Sequence, residues 1–154
     1  MKKAVLILLT LVPVIAGWLI NLSITITSIG MVMYYALPFA VLLFWFWLGK
    51  QYAGTDWNPG QSLLIGNATG LVSLVLYIWQ FVFRTDETRN MFIAALSQMF
   101  GASVPGFLCS WLAILFETQP GHIGEASTLA YQVIAVVIMI VVFACGFLSG
   151  KRNR

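Results

Sequence analysis

The sequence carries very little charge. Only 8% of its 154 residues are Asp, Glu, Lys or Arg, whereas about 25% is typical of a soluble domain. Charge is absent altogether from residues 4–49, 57–83, 90–116 and 126–150. Each of these stretches exceeds the roughly 20 apolar residues that a helix needs to cross a membrane. The lack of charge therefore excludes an ordinary soluble domain and predicts a polytopic membrane protein.

Histidine and cysteine, the commonest metal ligands, are also scarce. Cys109 and Cys145 lie in apolar stretches without metal or redox spacing, so we expect two buried free thiols or, alternatively, a disulfide within the membrane. The only histidine, His122, has just Glu117 and Glu125 near it in the sequence. Two carboxylates and one histidine in a glycine-containing loop match a zinc site poorly, so the sequence predicts no metal and no cofactor.

Groups for catalysis or nucleic-acid binding are missing as well. Ser103 lies in the run Gly-Ala-Ser-Val-Pro, which begins like the Gly-x-Ser-x-Gly elbow of hydrolases but has Pro105 in place of the last glycine. Lys and Arg lie at the ends of the apolar stretches rather than along one face that could meet phosphates. We expect no enzymatic activity and no nucleic-acid partner.

The sequence does contain five hydrophobic segments, at residues 4–20, 31–49, 61–83, 91–116 and 129–150. They predict an all-α integral membrane protein, a bundle of five helical segments with short loops, forming a single membrane domain over residues 1–154. The more polar residues 21–30 suit a turn at the membrane interface. Because Lys2 and Lys3 precede an apolar run, cleavage of the first segment as a secretory signal is an alternative.

The fourth segment contains Gly101, Pro105 and Gly106, which predict either a kinked helix that crosses the membrane or a re-entrant turn. The positive-inside rule bears on this choice. Five complete crossings from an N-terminus inside place three Lys and Arg residues inside and five outside. A re-entrant fourth segment gives six inside and two outside, and a single crossing by residues 4–49 gives seven and one. The count favours fewer than five crossings, and the alternatives stay open.

Small residues recur at four-residue spacing, which lets membrane helices approach closely. Gly66 and Gly70 form such a pair in the third segment, and Ala102, Gly106 and Ser110 form a series in the fourth. The spacing predicts that the third and fourth segments pack face to face through these residues.

Two functions are compatible with these features. We expect mainly an accessory or interaction subunit of a membrane complex, which binds another membrane protein or itself through the small-residue faces. The alternative is an oligomeric pore or carrier component for an uncharged or lipid-like solute. Four uncharged polar residues within the segments are candidates for its path: Asn67, Thr69, Gln98 and Ser103. The compact size and basic ends suggest a multi-pass protein of a bacterial inner membrane.

Overall fold

The computed structural model describes residues 2–24, 27–117 and 124–152, and all regular secondary structure within these ranges is helical. The helices are α1 (Lys3–Leu9), α2 (Val12–Ser23), α3 (Thr27–Tyr52), α4 (Pro59–Gly66), α5 (Ala68–Phe81), α6 (Met91–Ala102), α7 (Gly106–Ala113), a 3₁₀ turn (Ile114–Phe116) and α8 (Glu125–Arg152). The prediction of an all-α fold is confirmed.

Three helical stretches are long and apolar enough to cross a membrane: Lys3–Ser23, Ile29–Tyr52 and Glu125–Arg152. Two bent pairs, α4 with α5 and α6 with α7, raise the number to five if each pair is one span. The expected turn at residues 21–30 is wrong in extent, because α2 continues to Ser23 and α3 begins at Thr27. Polar side chains there bond within their own helix: Asn21 donates to the Gly17 carbonyl and Ser23 to the Ile20 carbonyl.

The breaks between α1 and α2 and between α4 and α5 have local causes. Pro13 has no N–H to donate to the Leu9 carbonyl, and α1 ends at Leu9. Between α4 and α5, which meet at 53°, the side-chain amide of Asn67 donates to the Leu63 carbonyl at 2.9 Å. Both breaks occur inside apolar sequence, so neighbouring helices have to cover them.

The break between α6 and α7 is the sharpest, at 102°. It falls at residues 103–105, where the sequence places a kink or a re-entrant turn. Pro105 lacks an N–H and disfavours helical geometry at Val104. The Ser103 hydroxyl donates to the Phe100 carbonyl at 2.7 Å and is fully buried. Helical structure resumes at Gly106.

Helices α3 and α8 run side by side in the same direction. A Cβ added at Gly49 would meet the backbone of Phe143, and one added at Gly146 would meet the backbone of Phe46. These glycines therefore allow backbone to approach backbone, as in other small-residue helix contacts in membranes. The adjoining aromatic core contains fully buried Trp45 and Phe143, with ring centroids 6.0 Å apart.

The charged residues that the structure describes lie at two ends of the helix bundle. At one end Lys3 pairs with Asp56 at 3.2 Å, and Gly150 of α8 packs against Lys50 of α3. We call it the basic end, since five described basic residues oppose one acid: Lys2, Lys3, Lys50, Lys151, Arg152 and Asp56. At the opposite, acidic end, four carboxylates outnumber two arginines: Asp86, Glu87, Glu117, Glu125, Arg84 and Arg89.

Residues 91–116 begin and end at the acidic end. Just before α6, Arg89 lines a cavity together with Glu125 at the start of α8. Just after the 3₁₀ turn, Glu117 lines a second cavity with Ser127, also in the first turn of α8. The bend between α6 and α7 therefore returns the chain to the end from which it came.

The outer surface of the bundle is rich in large apolar side chains. Leu43, Phe92, Trp111 and Leu115 each expose more than 70% of their surface. Soluble monomers rarely expose apolar patches of more than a few hundred Å². This surface is compatible with a bilayer of hydrocarbon around the helices.

Candidate binding site

A polar cleft opens between α2, α6 and α8. Its volume of about 480 Å³ falls within the range of small-molecule sites, roughly 300–1,000 Å³. Its lining includes three carboxamide side chains, and we call it the amide cleft. The lining residues are Asn21, Ala95, Gln98, Met99, Ala102, Thr128, Tyr131 and Gln132.

Gln132 is the central side chain of the amide cleft. It is only 7% exposed, and within the described residues no hydrogen bond reaches its amide. Among the described residues, the fully buried side-chain polar atoms without a hydrogen-bond partner are the hydroxyls of Tyr52 and Ser62. The Gln132 amide is not one of them, so its polar atoms are accessible from the cleft, and without a protein partner they are available to a ligand.

Gly101 makes room for this amide. A Cβ added at Gly101 would overlap the Gln132 Oε1 atom. The hydroxyl of Tyr131 reaches the Gly101 carbonyl at 3.5 Å, so it makes only a long hydrogen bond there. The break at residues 103–105 thus places Gly101 against the turn of α8 that contains Tyr131 and Gln132. This contact holds the Gln132 side chain at the wall of the cleft.

The other two amides keep free acceptors. Asn21 donates its Nδ2 to the Gly17 carbonyl at 3.0 Å and approaches the sulfur of Met99 at 3.4 Å. Gln98 donates its Nε2 to the Ala94 carbonyl at 3.4 Å. Among the described residues, no donor reaches the side-chain oxygen of either residue. The cleft therefore presents uncharged donors and acceptors, and none of its lining residues is charged.

An apolar groove adjoins the amide cleft. Its volume is about 420 Å³, and its walls include Val14, Ile15, Trp18, Phe92 and Leu96. Ala95 and Met99 of α6 line both spaces, so the polar cleft and the apolar groove are neighbours along the same pair of helices. No protein-family model, curated protein or solved structure matches this chain. What the site binds has to be inferred from its own side chains.

Three of the five small residues predicted to pack are covered within the chain. Gly70 faces the ring of Phe100 in α6, in the arrangement expected between the third and fourth segments. Gly66 instead faces the ring of Phe143 in α8, and Gly106 faces the hydroxyl of Tyr34 in α3. The other two predicted residues are not covered in this way. Ala102 lines the amide cleft, and exposed Ser110 lines a second cavity, between α7 and α8.

The four predicted polar residues do not form one cluster. Asn67 is buried in the core, where it accepts a hydrogen bond from the indole of Trp45 at 3.3 Å. Thr69 donates to the hydroxyl of Thr10 at 2.9 Å, and the Ser103 hydroxyl donates to the Phe100 carbonyl. Only Gln98 lines the amide cleft. A path lined jointly by Asn67 and Gln98 is therefore not what this arrangement offers.

The two cysteines and the set around His122 are the remaining candidate groups. Both cysteines are free, with Cys109 buried in α7 and Cys145 exposed on α8. His122 lies outside the described residues, so the set of His122, Glu117 and Glu125 is not described as a whole.

Sequence reasoning missed Asn21 and Gln132. Both are amides in otherwise apolar sequence, which is the available signal. Asn21 was assigned to a turn, and Gln132 stands alone in the fifth segment.

Proposed function

We propose that the chain is an integral protein of the cell membrane, in a bacterium the inner membrane, with its basic end in the cytoplasm. The excess of Lys and Arg at the basic end supports this orientation, because short cytoplasmic loops carry these residues preferentially. At the acidic end, Arg89 pairs with Asp86 at 2.9 Å, which offsets part of the little positive charge that lies there.

In this arrangement the chain crosses the membrane four times, and residues 91–116 are re-entrant. The twelve residues of α6 extend roughly 18 Å, too short for a hydrocarbon core of about 30 Å. The α4 and α5 pair makes one of the four crossings. Both termini then lie in the cytoplasm.

Cysteine labelling tests this topology. In a background without Cys109 and Cys145, single cysteines at exposed Thr85 and Ala126 should react with an impermeant maleimide from the same side. A cysteine at exposed Gly54 should react from the opposite side. Labelling of Thr85 and Ala126 from opposite sides would show that residues 91–116 cross the membrane.

The function that the geometry supports best is non-enzymatic: binding a small uncharged or lipid-like molecule in the amide cleft, as a carrier component. The observation that carries it is Gln132, a largely buried residue whose amide lines the cleft and has no protein hydrogen-bond partner within the described residues. Ion-coupled transporters generally have ionisable side chains at binding sites within the membrane. The uncharged lining favours an uncharged molecule.

The other function, an accessory subunit of a membrane complex, depended on small-residue faces that are free to meet a partner. Gly66, Gly70 and Gly106 are covered by aromatic side chains of the same chain, so of the predicted faces only Ala102, at the cleft, and exposed Ser110 are left to meet a partner. The exposed apolar surface remains open to a partner, but it equally suits lipid. We therefore rank partner binding second.

Flux measurements test the carrier function. The protein is reconstituted into dioleoylphosphatidylcholine vesicles, and two rates are followed: glycerol entry by light scattering, and movement of a fluorescent monoacylglycerol between leaflets by dithionite quenching. We expect one of the rates to rise, and the double variant Gln98→Leu with Gln132→Leu to abolish the rise. Gln51→Leu, at the basic end, is the matched control. No acceleration of either probe would contradict the proposal.

A further inference from the structure

Resting on the carrier function proposed above, we infer that the ligand is a neutral amphiphile. Its hydroxyl-bearing head occupies the amide cleft, and its hydrocarbon chain lies in the apolar groove between α2 and α6. A monoacylglycerol is the simplest molecule of this class.

The two spaces are arranged for one molecule with two unlike parts. Ala95 and Met99 form a shared wall, with the amides of Gln98 and Gln132 on one side and Trp18 on the other. A molecule that passes along this wall moves from hydrogen-bonding groups to purely apolar ones. A soluble polyol would use only the cleft, and a plain hydrocarbon would use only the groove.

The lining of the cleft selects an uncharged head. An amide supplies both a donor and acceptors, so Gln132 can bond a hydroxyl in either direction. A phosphate or carboxylate head would be desolvated without a countercharge, which is strongly unfavourable. None of the residues that line the cleft or the groove is Lys or Arg.

The groove provides access from the bilayer. Ile15, Trp18 and Phe92 expose between 51% and 76% of their surface, so the groove is open on its outer side. A hydrocarbon chain gains little by moving from lipid to protein, because lipid tails are as apolar as the groove. The hydrocarbon chain of the ligand therefore allows the ligand to enter the site from the bilayer. The hydrogen bonds of its head determine which ligand remains bound.

The test measures ligand occupancy in nanodiscs of dioleoylphosphatidylcholine by native mass spectrometry. Monooleoylglycerol is the probe. Oleic acid has the same chain with an ionisable head, methyl oleate has the chain without hydroxyls, and free glycerol is the head alone. We expect monooleoylglycerol to saturate at one molecule per chain, and we expect the other three compounds not to compete with it.

Matched variants separate the two parts of the site. Gln132→Leu should raise the half-saturating mole fraction of monooleoylglycerol about tenfold, equivalent to roughly 1.4 kcal/mol, while resistance to unfolding by dodecyl sulfate is retained. Ile15→Trp should fill the groove and weaken binding by a similar factor. Val75→Trp, at an exposed site on α5 that lines neither space, should leave binding unchanged.

Each other outcome has a defined meaning. Equal binding of oleic acid or methyl oleate would overturn the assignment of the head. Competition by glycerol, or unchanged binding in Ile15→Trp, would overturn the placement of the hydrocarbon chain in the apolar groove. The proposed carrier function for an uncharged solute would not be affected. Absence of monooleoylglycerol binding overturns the inference altogether, and the flux of glycerol then decides the carrier function separately.

Discussion

Replacing Gly49 or Gly146 with alanine should push α3 and α8 apart. At Gly49 the new methyl group would overlap the Phe143 carbonyl oxygen and lie 3.0 Å from the Phe147 nitrogen. At Gly146 it would overlap the Phe46 carbonyl oxygen and lie 2.9 Å from the Phe46 carbonyl carbon. The obstacles are backbone atoms, which no rotamer change can move. The helices themselves must therefore shift.

The size of the effect follows from the contact distances. Carbon atoms pack best at about 3.5–4.0 Å, and a gap of 0.5–1 Å already removes a quarter to a half of the dispersion energy. Overpacking of this kind destabilises by roughly 1–3 kcal/mol, and the better helix propensity of alanine returns up to about 1 kcal/mol. A glycine-to-alanine change without steric conflict gains the same propensity, so relative to it we expect each variant to lose about 1–3 kcal/mol.

Unfolding by dodecyl sulfate in mixed micelles, followed by tryptophan fluorescence, measures these losses. Gly60→Ala is the matched control, since its methyl group would meet only the Asn58 side chain at an ordinary 3.5 Å. The double variant Gly49→Ala with Gly146→Ala should lose less than the sum of the single losses, because one separation of the helices relieves both contacts. Alanine at Gly49 or Gly146 that unfolds like Gly60→Ala would refute the close contact of α3 with α8.

Two further predictions concern buried polar groups. A double-mutant cycle with Trp45→Phe and Asn67→Leu, measured by the same unfolding assay, should give a coupling of about 0.6 kcal/mol and no more than about 1.7 kcal/mol, as for other interhelical hydrogen bonds in membranes; zero coupling would contradict the bond. Gly101→Ala should displace the Gln132 amide and weaken monooleoylglycerol binding about threefold to tenfold, the worth of one neutral hydrogen bond; unchanged occupancy in the nanodisc assay would contradict their contact.

The positions of the helices could be predicted from sequence because they depend on local properties. A charge-free length specifies a segment, and a proline such as Pro105 specifies where a helix cannot continue. The charge count favoured fewer than five crossings, and this stays a prediction that the labelling of Thr85 and Ala126 tests. The extent of the turn at residues 21–30 was harder to predict, because the side chains of Asn21 and Ser23 bond back to carbonyls of their own helix and α2 continues to Ser23.

The amide cleft could not be predicted in the same way. Asn21, Gln98 and Gln132 belong to three separate segments, and only the bend after α6 brings them to one space. The partners of small residues were also out of reach, since the spacing of Gly66 and Gly70 indicates a close contact without saying which helix makes it. Gly146 and Gly150 show the same four-residue spacing in α8 and contact α3. Their spacing indicates a close helix contact but does not identify α3 as the partner helix.

In the membrane topology proposed above, the return of residues 91–116 to the acidic end has a consequence for synthesis of the chain. The backbone at residues 103–105 is not helical, and hydrocarbon tolerates such backbone only where protein covers it. Part of that cover is Tyr131 and Gln132, beside Gly101 and Gly106, and these residues leave the ribosome later. In that topology, residues 91–116 complete their packing only after α8 has been synthesised.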